Sequence, residues 1–233
     1  MSIATEISRL QTAKANIKSA IETRGVSVPS GDTLDDYAPY IIAIPDRYQI
    51  LEYIQSDGTF YIPTSIYLTN SMWFDYKFQL ATLPEANQNQ HICSGSVYRI
   101  GQIRGNSTFY IRRGDAGGVG NSILINSGHL FTVGDDRCVV AFKNNNDVSV
   151  DGTVFGTLAA VDTPTDSATA SVFDYNNSLD PATYAARGKL YYLKIGTGNT
   201  LSYNFIPAKR KSDNNIGLYD AVNDVFYPSV SVS

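Results

Sequence analysis

Four glutamates stand in this chain of 233 residues: Glu6, Glu22, Glu52 and Glu85. Hydrolysis of a glycosidic bond needs two carboxyl groups flanking that bond, one as general acid and one as nucleophile or base. Glu6 and Glu22 fall in a helical opening stretch, and Glu85 in a loop. Glu52 alternates with Ile50 and Ile54, and no acidic residue stands two positions from Glu52 or Glu85. The paired arrangement is absent, so the chain is read as a non-enzyme. Metal chemistry is also thinly supplied. His91 and Cys93 share a predicted strand face, with Cys138 or His129 as further candidates, but soft-metal sites want three or four well-spaced ligands. A chance pair in a core strand is the favoured reading. Asp135–Arg137 and Asn144–Asp147 offer oxygen ligands without a calcium-loop pattern. Calcium is therefore the one cofactor weighed, and none is otherwise expected. Gly114, Gly117, Gly118 and Gly120 lack the Gly-Lys-Ser/Thr ending of a phosphate cradle and read as a loop tip.

Binding chemistry is better represented. Sugars are held by aromatic faces together with planar hydrogen-bonding groups. Trp73, Tyr98, Arg99, Tyr110 and Arg112 offer both, the last four on adjacent predicted strands with Arg113 alongside. They are the candidate glycan-binding set. The plain alternative places Trp73 in the core and packs the tyrosines with their polar tips outward. The net charge of −4 and pI of about 5.1 argue against a nucleic-acid partner, which would require a basic stripe. No segment approaches the roughly 18 unbroken apolar residues of a membrane span, so no membrane insertion is expected. The N-terminus is amphipathic, with charges spread through it, and does not read as a signal peptide. Cys93 and Cys138 are too few for a disulfide framework; buried free thiols are favoured over a single pairing.

The elements that must position these residues fall into three segments. Residues 1–25 form a helix whose seam is Ile3, Ile7, Leu10, Lys14, Ile17, Ile21 and Arg24, at alternating steps of four and three. That is a heptad seam, narrower than the face a helix lays on a sheet. Self-association is favoured over packing on the chain's own β domain. Isoleucine at both seam positions points to three or four strands, with Lys14 fixing register. Residues 26–47 form a neck, in which Thr33 and Asp36 have capping-box spacing ahead of one or two short helical turns. Leu34, Tyr37, Ile41 and Ile44 are expected to face inward there.

From residue 48 to 233 the period switches to two. In "SMWFDYKFQL", Trp73, Asp75 and Lys77 alternate with Phe74, Tyr76 and Phe78. Similar runs recur about every ten residues, separated by Gly, Asn and Asp, which predicts an antiparallel β-sandwich or barrel. At the end, "GLYDAVNDVFY" reads as two short strands around Asn223–Asp224, with Phe226 among the apolar residues needing cover. Lys209, Arg210 and Lys211 read as a solvated loop, with attraction of acidic sugars as the alternative.

Several of these stretches carry a resemblance. "LEYIQSDGTFYIPTSI" resembles the opening strand pair of concanavalin-A-like jelly-roll domains in bacteriophage fibre and tail proteins. "VVAFKNNNDVSVDGT" is similar to that family's mid-domain hairpin, "ASVFDYNNSLDPATYAARGKLYYLKI" to its penultimate unit, and "YNFIPAKRKSDNNIGLYDAVNDVFYPS" to its closing segment. The opening 40 or so residues resemble a helical unit placed before such domains in tailed-phage virion proteins. The resemblance implies a mainly β chain: a concanavalin-A-like jelly-roll sandwich behind a short N-terminal coiled coil. It implies a homotrimer at the virion surface, made in the host cytoplasm and docked to other virion proteins through its N-terminal end. The knob would bind a host-surface glycan or receptor. A purely structural virion protein is the alternative, and a glycoside hydrolase of the same fold the weakest reading, since those enzymes place glutamates and an aspartate at alternate positions of one strand.

Overall fold

A computed structural model describes residues 2–24, 26–43, 47–85, 88–104, 108–113, 122–125, 132–158, 166–174 and 185–231. The chain divides into two compact units, residues 1–47 and 48–233.

In the first unit, helix α1 (Ile3–Thr23) begins at Ser2, whose hydroxyl accepts from the Thr5 N–H. This satisfies one of the donors that every helix start leaves open. Ile21 packs with Val28 and Tyr37 in a small core. Four other apolar seam residues are exposed, Ile3 at 82 %, Ile7 and Leu10 at 51 % each and Ile17 at 40 %, while Lys14 is half-buried. Asp36 accepts from both the Thr33 N–H (2.8 Å) and its hydroxyl (2.7 Å), forming the predicted capping pair ahead of helix α2 (Tyr37–Ala43). Pro39 sits in the first turn of α2, where its missing N–H has no partner to lose. Tyr37 faces inward as expected, but Leu34 and Ile41 are exposed, because a seven-residue helix covers only one narrow stripe. Ile44 lies outside the described residues. Ile7, Leu10, Gln11, Lys14, Thr33 and Leu34 line a shallow apolar groove within this unit.

The second unit is built of strands. In chain order these are β1 (Tyr48–Ile50), β2 (Ile54–Ser56), β3 (Phe60–Tyr67), β4 (Met72–Leu80), β5 (Asn89–His91), β6 (Cys93–Ser94), β7 (Arg99–Arg104), β8 (Phe109–Arg112) and β9 (Ser122–Ile125). There follow β10 (Asp136–Ala141), β11 (Asp147–Val150), β12 (Thr153–Thr157), β13 (Thr169–Val172), β14 (Gly188–Thr197), β15 (Thr200–Arg210), β16 (Ile216–Asp220), β17 (Val225–Pro228) and β18 (Val230–Ser231). One sheet of ten described strands runs β12-β11-β10-β4-β14-β15-β16-β17, with β1 on β15 and β2 on β14. The other, of eight, runs β18-β3-β13-β6-β7-β8-β9, with β5 on β7. Every pairing between these strands is antiparallel.

The two inner faces form one core. Phe74, Tyr76, Phe78, Leu80, Val139, Leu193 and Phe205 come from the first sheet, and Ile62, Ile100, Ile103, Phe109, Ile111 and Val172 from the second. Along β4 the burial alternates as the sequence period predicts. The closing hairpin β16–β17 is latched by Asp220. Its wholly buried carboxylate accepts from the N–H groups of Asn204 (2.9 Å) and Val222 (3.0 Å) and from the Asn223 side-chain amide (2.5 Å). Phe226 is only half buried. It stacks on Tyr48 at 5.4 Å on the outer face, with the Arg210 guanidinium 4.9 Å from its ring. Lys209 and Arg210 belong to β15 rather than to a loop, and Arg210 is held by Asp213.

Cys93 and Cys138 are both free thiols. Cys93 is buried as expected, and burial pushes its thiol up to about 12. Cys138 is exposed, because its register opposite Lys77 turns it to the outer face.

Candidate functional site

Residues directly opposed across antiparallel strands share a face, so the register decides which candidates meet. Arg99 lies opposite Arg112, and Gln102 opposite Tyr110, across β7 and β8. His91 lies opposite Gln102 across β5 and β7. Arg104 follows the inward Ile103 and lays its guanidinium over the Tyr110 ring at 4.5 Å, while Arg99 Nη1 donates to Gln102 Oε1 at 3.4 Å. Arg99, Gln102, Arg104, Tyr110 and Arg112 thus converge on the outer face of the eight-stranded sheet.

Strict alternation would not produce this set. Arg99 and Gln102 are three apart and should point to opposite sides. The register shifts between Ile100 and Gln102, where Gly101 adopts φ +100°. A side chain here would be strained, and its Cβ would press on the Tyr76 hydroxyl and Ile92. The bulge lets Ile100 and Ile103 both face the core while Arg99, Gln102 and Arg104 face outward. A glycine inside a predicted strand is the sequence signal that could have flagged it.

Three of the five candidate residues, Arg99, Tyr110 and Arg112, therefore come together. Tyr98 does not: it is wholly buried in the core, one residue before the strand begins. Trp73 lies on the other sheet and is 6 % exposed. Its indole Nε1 donates to the Gly198 carbonyl at 2.8 Å, and Lys143 stands 4.6 Å over its ring. On its far side the ring covers Gly196, where a Cβ would overlap both the indole and the Thr200 carbonyl. With one face on backbone and the other under an ammonium, Trp73 offers no open ring to a sugar. Arg113 turns inward beside Arg112. It is buried, stands 4.6 Å over Phe142, and binds Asn146 Oδ1 (2.6 Å) and the Asn70 carbonyl, tying three connections together. The glycine-rich stretch 114–120 and His129 lie outside the described residues.

The outer face of the ten-stranded sheet has a different electrostatic character. Lys77 pairs with Asp136 at 2.7 Å and stands 4.3 Å over Tyr191, whose hydroxyl donates to Asp136 at 2.9 Å. Lys143 pairs with Asp75 at 3.9 Å, and Asp75 accepts from the Tyr192 hydroxyl at 3.1 Å. Lys189 and Lys194 lie over Tyr53 and Tyr192. Desolvation and then Asp136 raise Tyr191 to about 12, while Lys77 holds Asp136 below the usual carboxylate range. Such half-exposed pairs are worth about 0–1 kcal/mol each. Their acids and bases largely satisfy one another.

The arginine face has a buried floor, since His91 and Gln102 are each 2 % exposed. Desolvation, then Arg99 and Arg104, depress the imidazole to about 3. The folded protein therefore holds His91 neutral, while the unfolded chain takes up a proton below about pH 6.5. Stability from this residue is complete above pH 6.5 and is lost as the pH falls toward 3, by roughly 3–5 kcal/mol. The expected result is a melting temperature that already declines between pH 6.5 and 4.5, before the carboxylates titrate. His91→Gln should flatten that limb; an unchanged limb in the variant would refute the assignment.

Among the described residues, no group of three His, Cys, Asp or Glu side chains could hold a metal ion. Asp135 and Asp151 pair with Arg137, and Asp147 accepts from Thr157. No described helix is long and apolar enough to cross a membrane.

No protein-family model and no curated protein matches the chain. Solved structures do. A Bacteroides ovatus protein assigned to carbohydrate binding aligns over 78 % of this chain and 58 % of its own, with TM-score 0.52 and 8 % identity. The heptameric SAP-like pentraxin of Limulus polyphemus aligns over 79 % and 94 %, at TM-score 0.40 and 11 % identity. At such identities the likeness concerns fold. The second unit is an antiparallel jelly-roll β-sandwich, preceded by an N-terminal helical unit.

Proposed function

We propose that this chain is a bacteriophage fibre or decoration protein, homotrimeric through α1, whose sandwich binds a host-surface glycan or receptor by its arginine–tyrosine face. The observation that carries the binding reading is the convergence of Arg99, Gln102, Arg104, Tyr110 and Arg112 on one outer face of a jelly-roll sandwich. Forked guanidinium donors and a phenol are groups that read sugar hydroxyls and acids. Catalysis is not part of the proposal: Glu52 and Glu85 are remote from each other in sequence, and neither is among these residues.

The trimer reading rests on the heptad seam. Helices in proteins draw most of their stability from packing an amphipathic face, yet four apolar seam residues of this 21-residue helix are exposed in the single chain. Three weak sites on one stalk gain avidity without new contacts. The virion reading rests on the resemblance of the stalk-first order and the closing segment to tailed-phage proteins. The particle surface is the proposed location, with the N-terminal end meeting other virion proteins.

The test is a bacterial-glycan array probed with intact protein. Binding is expected, and Tyr110→Ala with Arg112→Ala should abolish it while the thermal melt stays put. A protein that binds no glycan and no host cell would instead be a structural virion component.

A further inference from the structure

We propose, resting on that binding reading, that the ligand of the arginine–tyrosine face is a polyanionic glycan, a polymer with repeated carboxylate or sulfate groups. The outer face of the ten-stranded sheet interleaves lysines with aspartates, although Lys189 and Lys194 lie over tyrosines and enter no ion pair among the described residues. On the ten-stranded sheet, Lys77 and Lys143 each have an aspartate partner. On the eight-stranded sheet, Arg99 and Arg112 are set directly opposite each other, and Arg104 shares their face. Among the described residues, none of the ion pairs includes Arg104 or Arg112.

Like charges directly opposed across strands are unfavourable, and arginine cannot relieve the repulsion by losing its proton. This concentration of cations occurs in a chain whose acidic residues outnumber its basic ones, 22 to 18. An acidic ligand meets the guanidinium forks of Arg104 and Arg112, which suit planar carboxylate or tetrahedral sulfate. A buried floor lies beneath, made of the Gln102 amide and the His91 imidazole, each 2 % exposed.

The number of cations argues for a ligand with several acidic groups over a single acidic sugar, since three guanidiniums share one face. The Arg99–Arg112 pair lies at one end of the face and Arg104 at the other, with Gln102 and Tyr110 between. At about 3.3 Å per residue, with one residue taken up by the bulge, the ends are roughly 13 Å apart.

Matched polymers test this. Intact protein is passed over immobilised polygalacturonate and its methyl ester, and over dextran sulfate and dextran. Retention at least tenfold stronger on the acidic member of either pair is expected; which pair responds tells carboxylate from sulfate. Arg104→Gln with Arg112→Gln should remove that preference with an unchanged melt, whereas Lys189→Gln with Lys194→Gln on the opposite sheet should not. Equal retention on acidic and neutral members, or equal loss in the lysine variant, overturns the charge assignment. If neutral dextran is bound and the arginine variant loses it, glycan binding stands and only the charge inference falls. If neither these polymers nor the bacterial array is bound, both fall. Preference for a single-stranded oligonucleotide over every polysaccharide would overturn the ligand class.

Discussion

Replacing Asp220 by alanine is expected to destabilise the sandwich by about 3–5 kcal/mol. Its carboxylate is wholly buried and accepts three hydrogen bonds, two from backbone N–H groups. Alanine would take the acceptor from all three part-buried donors, and hydrogen bonds to a charged group are worth about 1.5–3 kcal/mol each. The loss would remove a large part of a typical domain stability of about 5–15 kcal/mol. Asp220→Asn keeps an acceptor oxygen and should recover part of it. Phe226→Ala is the informative contrast: the sequence marks Phe226 for cover, but its half-exposed ring should lose no more than about 2 kcal/mol. Urea melts followed by circular dichroism rank the three. An Asp220→Ala variant within 1 kcal/mol of the parent would show that the latch contributes little.

The double substitution Ile7→Asp, Ile17→Asp should convert a particle of three chains into folded monomers of 25.5 kDa. The two side chains are 51 % and 40 % exposed in the single chain, so neither change removes a contact the isolated unit depends on. In a parallel trimer they would bring six carboxylates into a narrow seam, where an unpaired buried charge is strongly unfavourable. The melt of the sandwich should be unaffected, since residues 48–233 form their own compact unit. Retention on a multivalent glycan surface should fall by about 10²–10⁴-fold as three sites become one. Ser8→Asp, exposed and off the seam, is the control. Sedimentation showing the parent to be a monomer at micromolar concentration would end the trimer reading.

The limits of sequence reading are visible residue by residue. The heptad spacing of α1, the Thr33–Asp36 cap and the alternation of β4 were all legible, because each depends on residues within a few positions and on a fixed period. The burial of Tyr98 follows from alternation, which puts it with the inward Ile100 and on the opposite side from Arg99; the Gly101 bulge resets the period only beyond Ile100. Arg112 and Arg113 look alike in sequence, yet successive side chains of an extended chain point to opposite sides, so one faces solvent and the other is buried.

By itself, then, the sequence determined local period, caps and the antiparallel sandwich class, all consequences of short-range sterics and apolar patterning. Only the tertiary structure decided which strands are neighbours. The chain crosses repeatedly from one sheet to the other, so β4 and β7 lie in different layers and carry Trp73 and Arg99 on opposite outer faces. The Gly101 bulge then gathers Arg99, Gln102 and Arg104 beside Tyr110 and Arg112. Both depend on pairing between residues distant along the chain, and that pairing follows from packing two whole inner faces together rather than from any single segment.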